Sequence, residues 1–520
     1  MRSRLSGVPV VVTADSAGRA SARLDRDRQL TRLIGVALFA YFLLILGGHH
    51  YSIDGIVMFQ TAKRLFFHHS LVLDPPVLWG TSVIRASRWS LGLTLAYLPP
   101  LALASPLFYW LPSLQEIPYN PSLPYNPALY SNLPYLLCSW LNPLITALTG
   151  CLVFRLARLL GLTPPWAVAA ALAYGVASPA AAYARFDYAQ PLAALVLTAA
   201  VWRLLTASPA FLLRPLFLTG AILGFAFLTR PEFAVLIAWI LAWMLFRCRA
   251  MSRRAVLERV AVLAGPVGIA VGIYFATNWF MFGGPFDTGH KPFARLFPGS
   301  PTGALQGVIG LLASPDHGLL FFCPLAWLAL PGLVRLIKER NPAGALFAGL
   351  SGAALVLYGS FGRGWGGGVS WGPRFLISIV PLVIVASAFW AFRAWGSGRR
   401  GGRTLFLTLG ALGVVVTWTG ILVDPVLYVA WIRHPVGFAA RLGQLGAADF
   451  RLLASPLVTG WAFLWAAPLD FPLVMLWRAG RVATVLVWLV ATLAVTAGLA
   501  WAGYRIRVLL RESRAGNGGG

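Results

Sequence analysis

The chain has 520 residues, of which 58% are hydrophobic and only 11% charged. A soluble domain carries about 25% charged residues, so this composition excludes a chain surrounded wholly by water and makes lipid the solvent for much of its surface. The net charge of +26 excludes little by itself, but its distribution excludes a nucleic-acid partner. The basic residues fall in short clusters between apolar runs, as in cytoplasmic loops, and line no single soluble face.

Residues 1–32 are polar and Arg-rich and precede an apolar run at 33–48 with no small-residue cleavage site behind it, which reads as a retained anchor. Further runs that suit spanning lie near 134–157, 166–185, 190–207, 212–229, 231–247, 260–281, 318–335, 344–361, 375–394, 404–422 and 481–503. Each span needs about 20 apolar residues, so these make about twelve transmembrane helices. Cys138, Cys151, Cys248 and Cys323 form no CxxC pair and read as small buried hydrophobes.

The segment 90–111 (SLGLTLAYLPPLALASPLFYWL) is also apolar enough to cross. Charge parity argues against it. Arg23, Arg26, Arg28 and Arg32 place the N-terminal tail inside. With 90–111 left out, the clusters at Arg247–Arg259, Arg335–Arg340, Arg393–Arg403 and Arg505–Arg514 also fall inside. With it included, all four move outside. Pro99-Pro100 further suits a segment lying in the interface. Residues 49–132 therefore read as one long external loop carrying juxtamembrane helices, within a catalytic core over 33–422. Residues 423–480 form an external segment, 481–503 the last transmembrane helix and 504–520 a cytoplasmic tail, so both termini are cytoplasmic. Other external stretches are expected near 186–190, 229–231, 283–317 and 362–374. The PYNP pair at 118–121 and 124–127 suits a turn-rich linker, and Gly516–Gly520 a disordered end.

The chemically capable residues gather in the external segments. Asp54 stands just past the first run, at the head of an amphipathic helical stretch, either as a solvated cap or as a base able to take a proton from an acceptor. Arg85 and Arg88 follow in the same loop; arginine forks bind phosphate oxygens, and interfacial arginines also bind lipid phosphates generally. Asp187 lies in the short link YARFDYAQP, as a substrate or metal contact or as a partner for Arg185. Arg230 and Glu232 flank Pro231 and read as a local ion pair. Asp287 and His290, three apart, and the neighbours Asp316 and His317 carry weak metal-ligand spacing that turn chemistry explains equally well. In GRGWGGGVSWGPR (362–374) the glycines permit close backbone approach, Trp365 and Trp371 can stack on a sugar or anchor at the interface, and Arg374 opens the next span.

In order along the chain, YSIDGIVMFQTAKRL (51–65), SRWSLGLTLAYLPP (87–100), YARFDYAQPLAALVL (183–197), LTRPEFAVL (228–236), NWFMFGGPFDTGH (278–290), LLASPDHGLLFFCPL (311–325) and WGGGVSWGPRFLISIVPL (365–382) resemble bacterial family-39-type glycosyltransferases. That is the GT-C superfamily of protein O-mannosyltransferases and aminoarabinose transferases. The resemblance implies an all-α polytopic membrane protein with a GT-C-like bundle, and a polyprenyl-phosphate-linked sugar as donor. It implies an envelope lipid, glycan or protein as acceptor, in the plasma membrane of a bacterium with the site on the external side. It implies that Asp54 matches the catalytic acid, that Arg88, with Arg374 and Arg85, faces the donor phosphate, and that Asp187 matches an acidic position, with His290 and Trp371 as further substrate or metal contacts. Two departures stand out. Mannosyltransferases of this kind often carry an Asp-Glu pair where this chain has Asp54-Gly55, and aminoarabinose transferases have an acid where it has Ser87. No cofactor is demanded, and a divalent metal stays open. The expected reaction is an inverting transfer with Asp54 as base. The competing readings are a lipid or sugar transporter or flippase without catalysis, which would favour internal repeats that the chain lacks, and a non-catalytic assembly subunit.

Overall fold

The computed structural model describes residues 14–79, 82–89, 91–110, 133–208, 210–289, 301–368, 370–398, 401–425, 427–428, 455–464, 469–471, 474 and 482–515. These are overwhelmingly helical, as hydrocarbon requires: a helix satisfies its backbone N–H and C=O groups within its own segment. Eight helices among the described residues are long and apolar enough to cross a membrane: Pro134–Leu159, Gln190–Ala207, Pro231–Cys248, Arg253–Phe282, Pro342–Gly359, Arg374–Gly396, Gly401–Leu422 and Val485–Ser513. The chain is a multi-pass membrane protein.

The remaining expected spans are helical but divided, short or partly charged. The first apolar run ends α1 (Ala14–Leu44), whose N-terminal half is rich in Arg and Asp. The run 166–185 is two helices, Pro164–Val176 and Ala180–Arg185, interrupted at Ser178-Pro179. Leu213–Thr229 has 17 residues. The run 318–335 divides into Leu319–Phe322, a tight turn at Pro324–Leu328 and Ala329–Lys338, because Pro324 lacks the N–H that would carry the helix on. Conversely, Pro301–Ala313 is an apolar helix inside what reads as an external stretch. It packs so closely on Pro342–Gly359 that a Cβ on Gly307 would lie 2.1 Å from the Gly359 carbonyl oxygen.

Lipid offers no hydrophobic drive between helices, so close packing must hold the bundle together. Gly220 and Gly224, four apart, do this between Leu213–Thr229 and Arg253–Phe282: a Cβ at either would strike the Leu263 or Pro266 carbonyl oxygen, at 2.3 and 2.8 Å. Leu38 of α1 likewise fits against Gly150 and Gly175 of the neighbouring helices.

Residues 49–110 are the part that positions the site. They hold α2 (Ile53–His68), the antiparallel hairpin β1 (Val72–Trp79) and β2 (Ser82–Ala86), and the helices α3 (Leu91–Ala96) and α4 (Leu98–Trp110). The hairpin departs from the all-helical expectation for this loop. Its apolar residues alternate: Leu73, Val77 and Ile84 bury against Ile56 and Val57 of α2, while Val72, Leu78 and Val83 face out. A register irregularity between Val72 and Val77 accommodates Pro75-Pro76. The expected helix at 90–111 is present but broken at Tyr97. Its first piece packs on α2 and on the end of Leu213–Thr229, where a Cβ on Gly92 would meet Thr229. The PYNP pair and the glycine-rich end lie outside the described residues.

Candidate active site

The first turn of α2 is fixed by the three residues before it, His50, Tyr51 and Ser52. Ser52, extended at φ −151°, caps the helix by accepting from the Gly55 N–H at 2.9 Å. Asp54 therefore sits two residues into the helix, where unpaired backbone N–H groups favour a carboxylate. The other partner of Ser52 is Asp187: the Ser52 hydroxyl donates to Asp187 Oδ1 at 2.9 Å, and the Tyr51 N–H does so at 3.3 Å. His50 Nδ1 donates to Asp187 Oδ2 at 2.7 Å.

Asp187 lies on the link between Ala180–Arg185 and Gln190–Ala207, and Asn142 fixes that link by donating to the carbonyls of Phe186 (2.5 Å) and Tyr188 (3.0 Å). Asp187 is fully buried, so its role in the structure is to hold the start of α2. A Cβ on Gly55 would fall 2.0 Å from its carboxylate. A second acid directly after Asp54 would need space that Asp187 already fills.

Asp54 forms an ion pair with Arg374 through Oδ2 and Nη2. Arg374 opens the tight turn Arg374–Ile379 that feeds the helix Val380–Gly396. Its guanidinium lies 4.0 Å from the Tyr188 ring centroid, and its Nη1 donates to the Gly367 carbonyl at 3.2 Å. Gly367 adopts φ +82°, a conformation the glycine run supplies without strain. Next to Arg374 stands Gln190. With its amide oxygen turned toward the guanidiniums, the orientation that satisfies both ends of the group, it accepts from Arg374 Nε at 3.0 Å and from Arg230 Nη1 at 2.6 Å. Arg230 in turn pairs with Glu232, Nε to Oε1 at 2.8 Å. The result is a row, Asp54–Arg374–Gln190–Arg230–Glu232, in which a neutral amide joins the cationic ends of two ion pairs. The four charged side chains keep 12–19% of their surface exposed.

The other candidates are placed less centrally. Arg85 is on β2 and Arg88 just beyond it; both are exposed, and neither carries an ion pair among the described residues. Trp371 is buried, donating Nε1 to Thr419 at 3.2 Å and meeting Phe322 edge-on, which anchors the 370–374 turn. His290 lies outside the described residues. Asp287 closes its own turn by accepting from the Gly289 N–H at 2.9 Å. Among the described residues no group of three or more His, Cys, Asp or Glu side chains is arranged to hold a metal.

No protein-family model matches the chain. No curated protein matches it. Among solved structures it is similar to ArnT from Cupriavidus metallidurans bound to undecaprenyl phosphate, at 15% identity and a TM-score of 0.45, over 85% of this chain and 76% of that one. The apo state of the same ArnT gives 14% identity and a TM-score of 0.44, over 89% and 77%.

One polar cluster has no counterpart in the sequence reading. His49 Nε2 meets Asp470 Oδ1 at 2.8 Å while its Nδ1 meets the His50 carbonyl at 3.0 Å. Both ring nitrogens face acceptors, so both must donate and the ring is an imidazolium. Asp470 also accepts from Tyr51 Oη at 2.8 Å and Arg185 Nη2 at 2.9 Å. Aromatic faces of Tyr51 and Phe471 cover the rest of the Arg185 charge. Burial pushes the Asp470 carboxyl up, but Arg185 and His49 outweigh it and bring it down to about 2. Burial pulls His49 down, yet Asp470 and Asp424 raise it to about 9. Sequence could not bring these residues together, because Asp470 lies 421 positions from His49 and 285 from Arg185.

Proposed function

We propose that this chain transfers a sugar from a polyprenyl-phosphate donor to an acceptor on the external side of the membrane, with Asp54 as general base. The observation that carries this reading is the pairing of Asp54 with Arg374, 320 positions away, at a partly open site. A base and a phosphate-binding cation side by side suit transfer from a phosphate ester. The family resemblance of the sequence supports the same pairing of donor and base.

In the proposed step the acceptor oxygen or nitrogen attacks the anomeric carbon from the face opposite the phosphate. The bond from that carbon to the phosphate oxygen breaks, and its electron pair leaves with the polyprenyl phosphate. The acceptor proton passes to Asp54, and the configuration inverts. Arg374 balances the leaving charge, with Arg88 and Arg85 toward the carrier. Charges fixed in advance in a water-poor site act strongly on such a transition state. Asp187, through Ser52 and the Tyr51 N–H, keeps the first turn of α2 in place. Trp371 keeps Arg374 in place through the turn they share, and His290 remains a proposed substrate contact.

In the structure the Asp54 carboxylate is engaged by the Arg374 guanidinium. A donor phosphate that draws Arg374 away frees the carboxylate to take the acceptor proton, so donor binding precedes proton transfer. The deciding experiment is turnover of a radiolabelled polyprenyl-phosphate sugar by purified protein, run beside transport of the same lipid across liposomes. Turnover that Asp54→Asn abolishes without disturbing folding is expected. Transport without turnover, or near-normal turnover by the variant, would reject the proposal.

A further inference from the structure

We propose that Arg230 is a further phosphate-binding arginine, beside Arg374, and that it serves the charge which appears on the phosphate as the sugar departs. This rests on the donor chemistry proposed above and adds to it a residue that reads from sequence as one half of a local ion pair. Two independent contacts place Arg230 beside Arg374. The Gln190 amide oxygen accepts from both guanidiniums, at 2.6 and 3.0 Å. Both guanidiniums also lie over the same Phe375 ring, Arg230 at 5.4 Å and Arg374 at 5.9 Å from its centroid. Tyr358 flanks Arg230 as well, 5.6 Å away. Arginines so held lose little freedom on meeting a phosphate, and their planar forks match its oxygens. Neither is sealed: the side chains are 12% and 14% exposed.

Charge balance gives this arginine its task. A polyprenyl-phosphate sugar is a phosphodiester with one negative charge. When the anomeric bond breaks, the departing oxygen keeps the electron pair, and the product is a monoester approaching two negative charges. Arg374 starts out balanced by Asp54, and Arg230 by Glu232. The monoester that leaves carries more charge on its oxygens than the diester that enters, so a guanidinium beside Arg374 favours the departing form over the entering one. Gln190, neutral and accepting from both, holds the two cations together without neutralising either.

The test compares binding of undecaprenyl phosphate with that of undecaprenyl methyl phosphate, its singly charged and unreactive diester, by calorimetry on purified protein in detergent at alkaline pH. Arg230→Gln is expected to weaken the monoester about tenfold more than the diester, as loss of a charge-assisted hydrogen bond implies, and Arg230→Lys to recover part of that difference. Glu232→Gln, which frees Arg230 from its partner, is expected to tighten the monoester severalfold. Equal losses for the two lipids, or none, with Arg230→Gln would overturn the inference. If that variant does not fold, Glu232→Gln decides: unchanged or weaker monoester binding rejects it. Wild-type protein that binds neither lipid would reject the donor proposal itself. Binding lost with Arg374→Gln but untouched by Arg230→Gln would leave that proposal standing and remove only this one.

Discussion

Two sets of charges flank the short segment 49–54, and they differ in one respect. His49, Asp470 and Arg185 are closed off, with side chains 0–1% exposed, while Asp54, Arg374, Arg230 and Glu232 keep 12–19%. Both sets are paired and hydrogen-bonded, so pairing does not separate scaffold from site. Access does. A buried ion pair gains little over an apolar substitute but costs much when one partner is removed, which suits a clasp between distant parts of the chain. A partly open pair can exchange its partner for a ligand.

The largest effect is expected at the open set. Asp54→Asn should lower kcat by about 10²–10⁴-fold, the usual worth of a general base, with the melting temperature in detergent unchanged. A comparable fall in melting temperature would make Asp54 part of the scaffold and break the contrast. At the closed set, Asp470→Asn leaves two cations without a counter-charge and should cost about 3–5 kcal/mol of stability, read by thermal unfolding. Loss of turnover at unchanged stability would place Asp470 in the site instead.

Gly55→Ala tests the joint between the two sets. Its methyl group collides with the Asp187 carboxylate, and overpacking of this kind costs about 1–3 kcal/mol. Activity should fall with it, because the cap that carries Asp54 must move. A variant with both stability and rate intact would show that this turn tolerates displacement.

The closed set also makes stability depend on pH. His49 is raised from 6.5 to about 9, so its contribution is complete below pH 6.5 and disappears as pH rises through about 9. Asp470 is lowered from 3.8 to about 2, so its contribution is complete above pH 3.8 and disappears as pH falls through about 2. Melting temperature should therefore decline on the alkaline side of pH 6.5, and His49→Gln should flatten that decline.

Helices and membrane character were legible because apolar runs of about 20 residues admit one solution in lipid. The place of Asp54 at the head of a helix just past the first run is legible for a similar reason. The hairpin was hidden because Asp74-Pro75-Pro76 interrupts the alternation of Leu73, Val77 and Ile84. The closed set was hidden because its members come from three distant segments. Gln190 bears no charge and so gives no signal in the sequence, although two arginines converge on it. The Arg230–Glu232 pair expected from their spacing is present, but spacing says nothing about what stands on the far side of the guanidinium.

The contact between Gly55 and Asp187 bears on redesign. A carboxylate dyad of the Asp-Glu type, grafted here to recruit a divalent ion, would place its second side chain in space that Asp187 already occupies. Truncating Asp187 to make room removes the acceptor for His50, Ser52 and the Tyr51 amide together. Any such conversion has to rebuild the helix start in the same step, so the two architectures are separated by a concerted change and not by a single substitution.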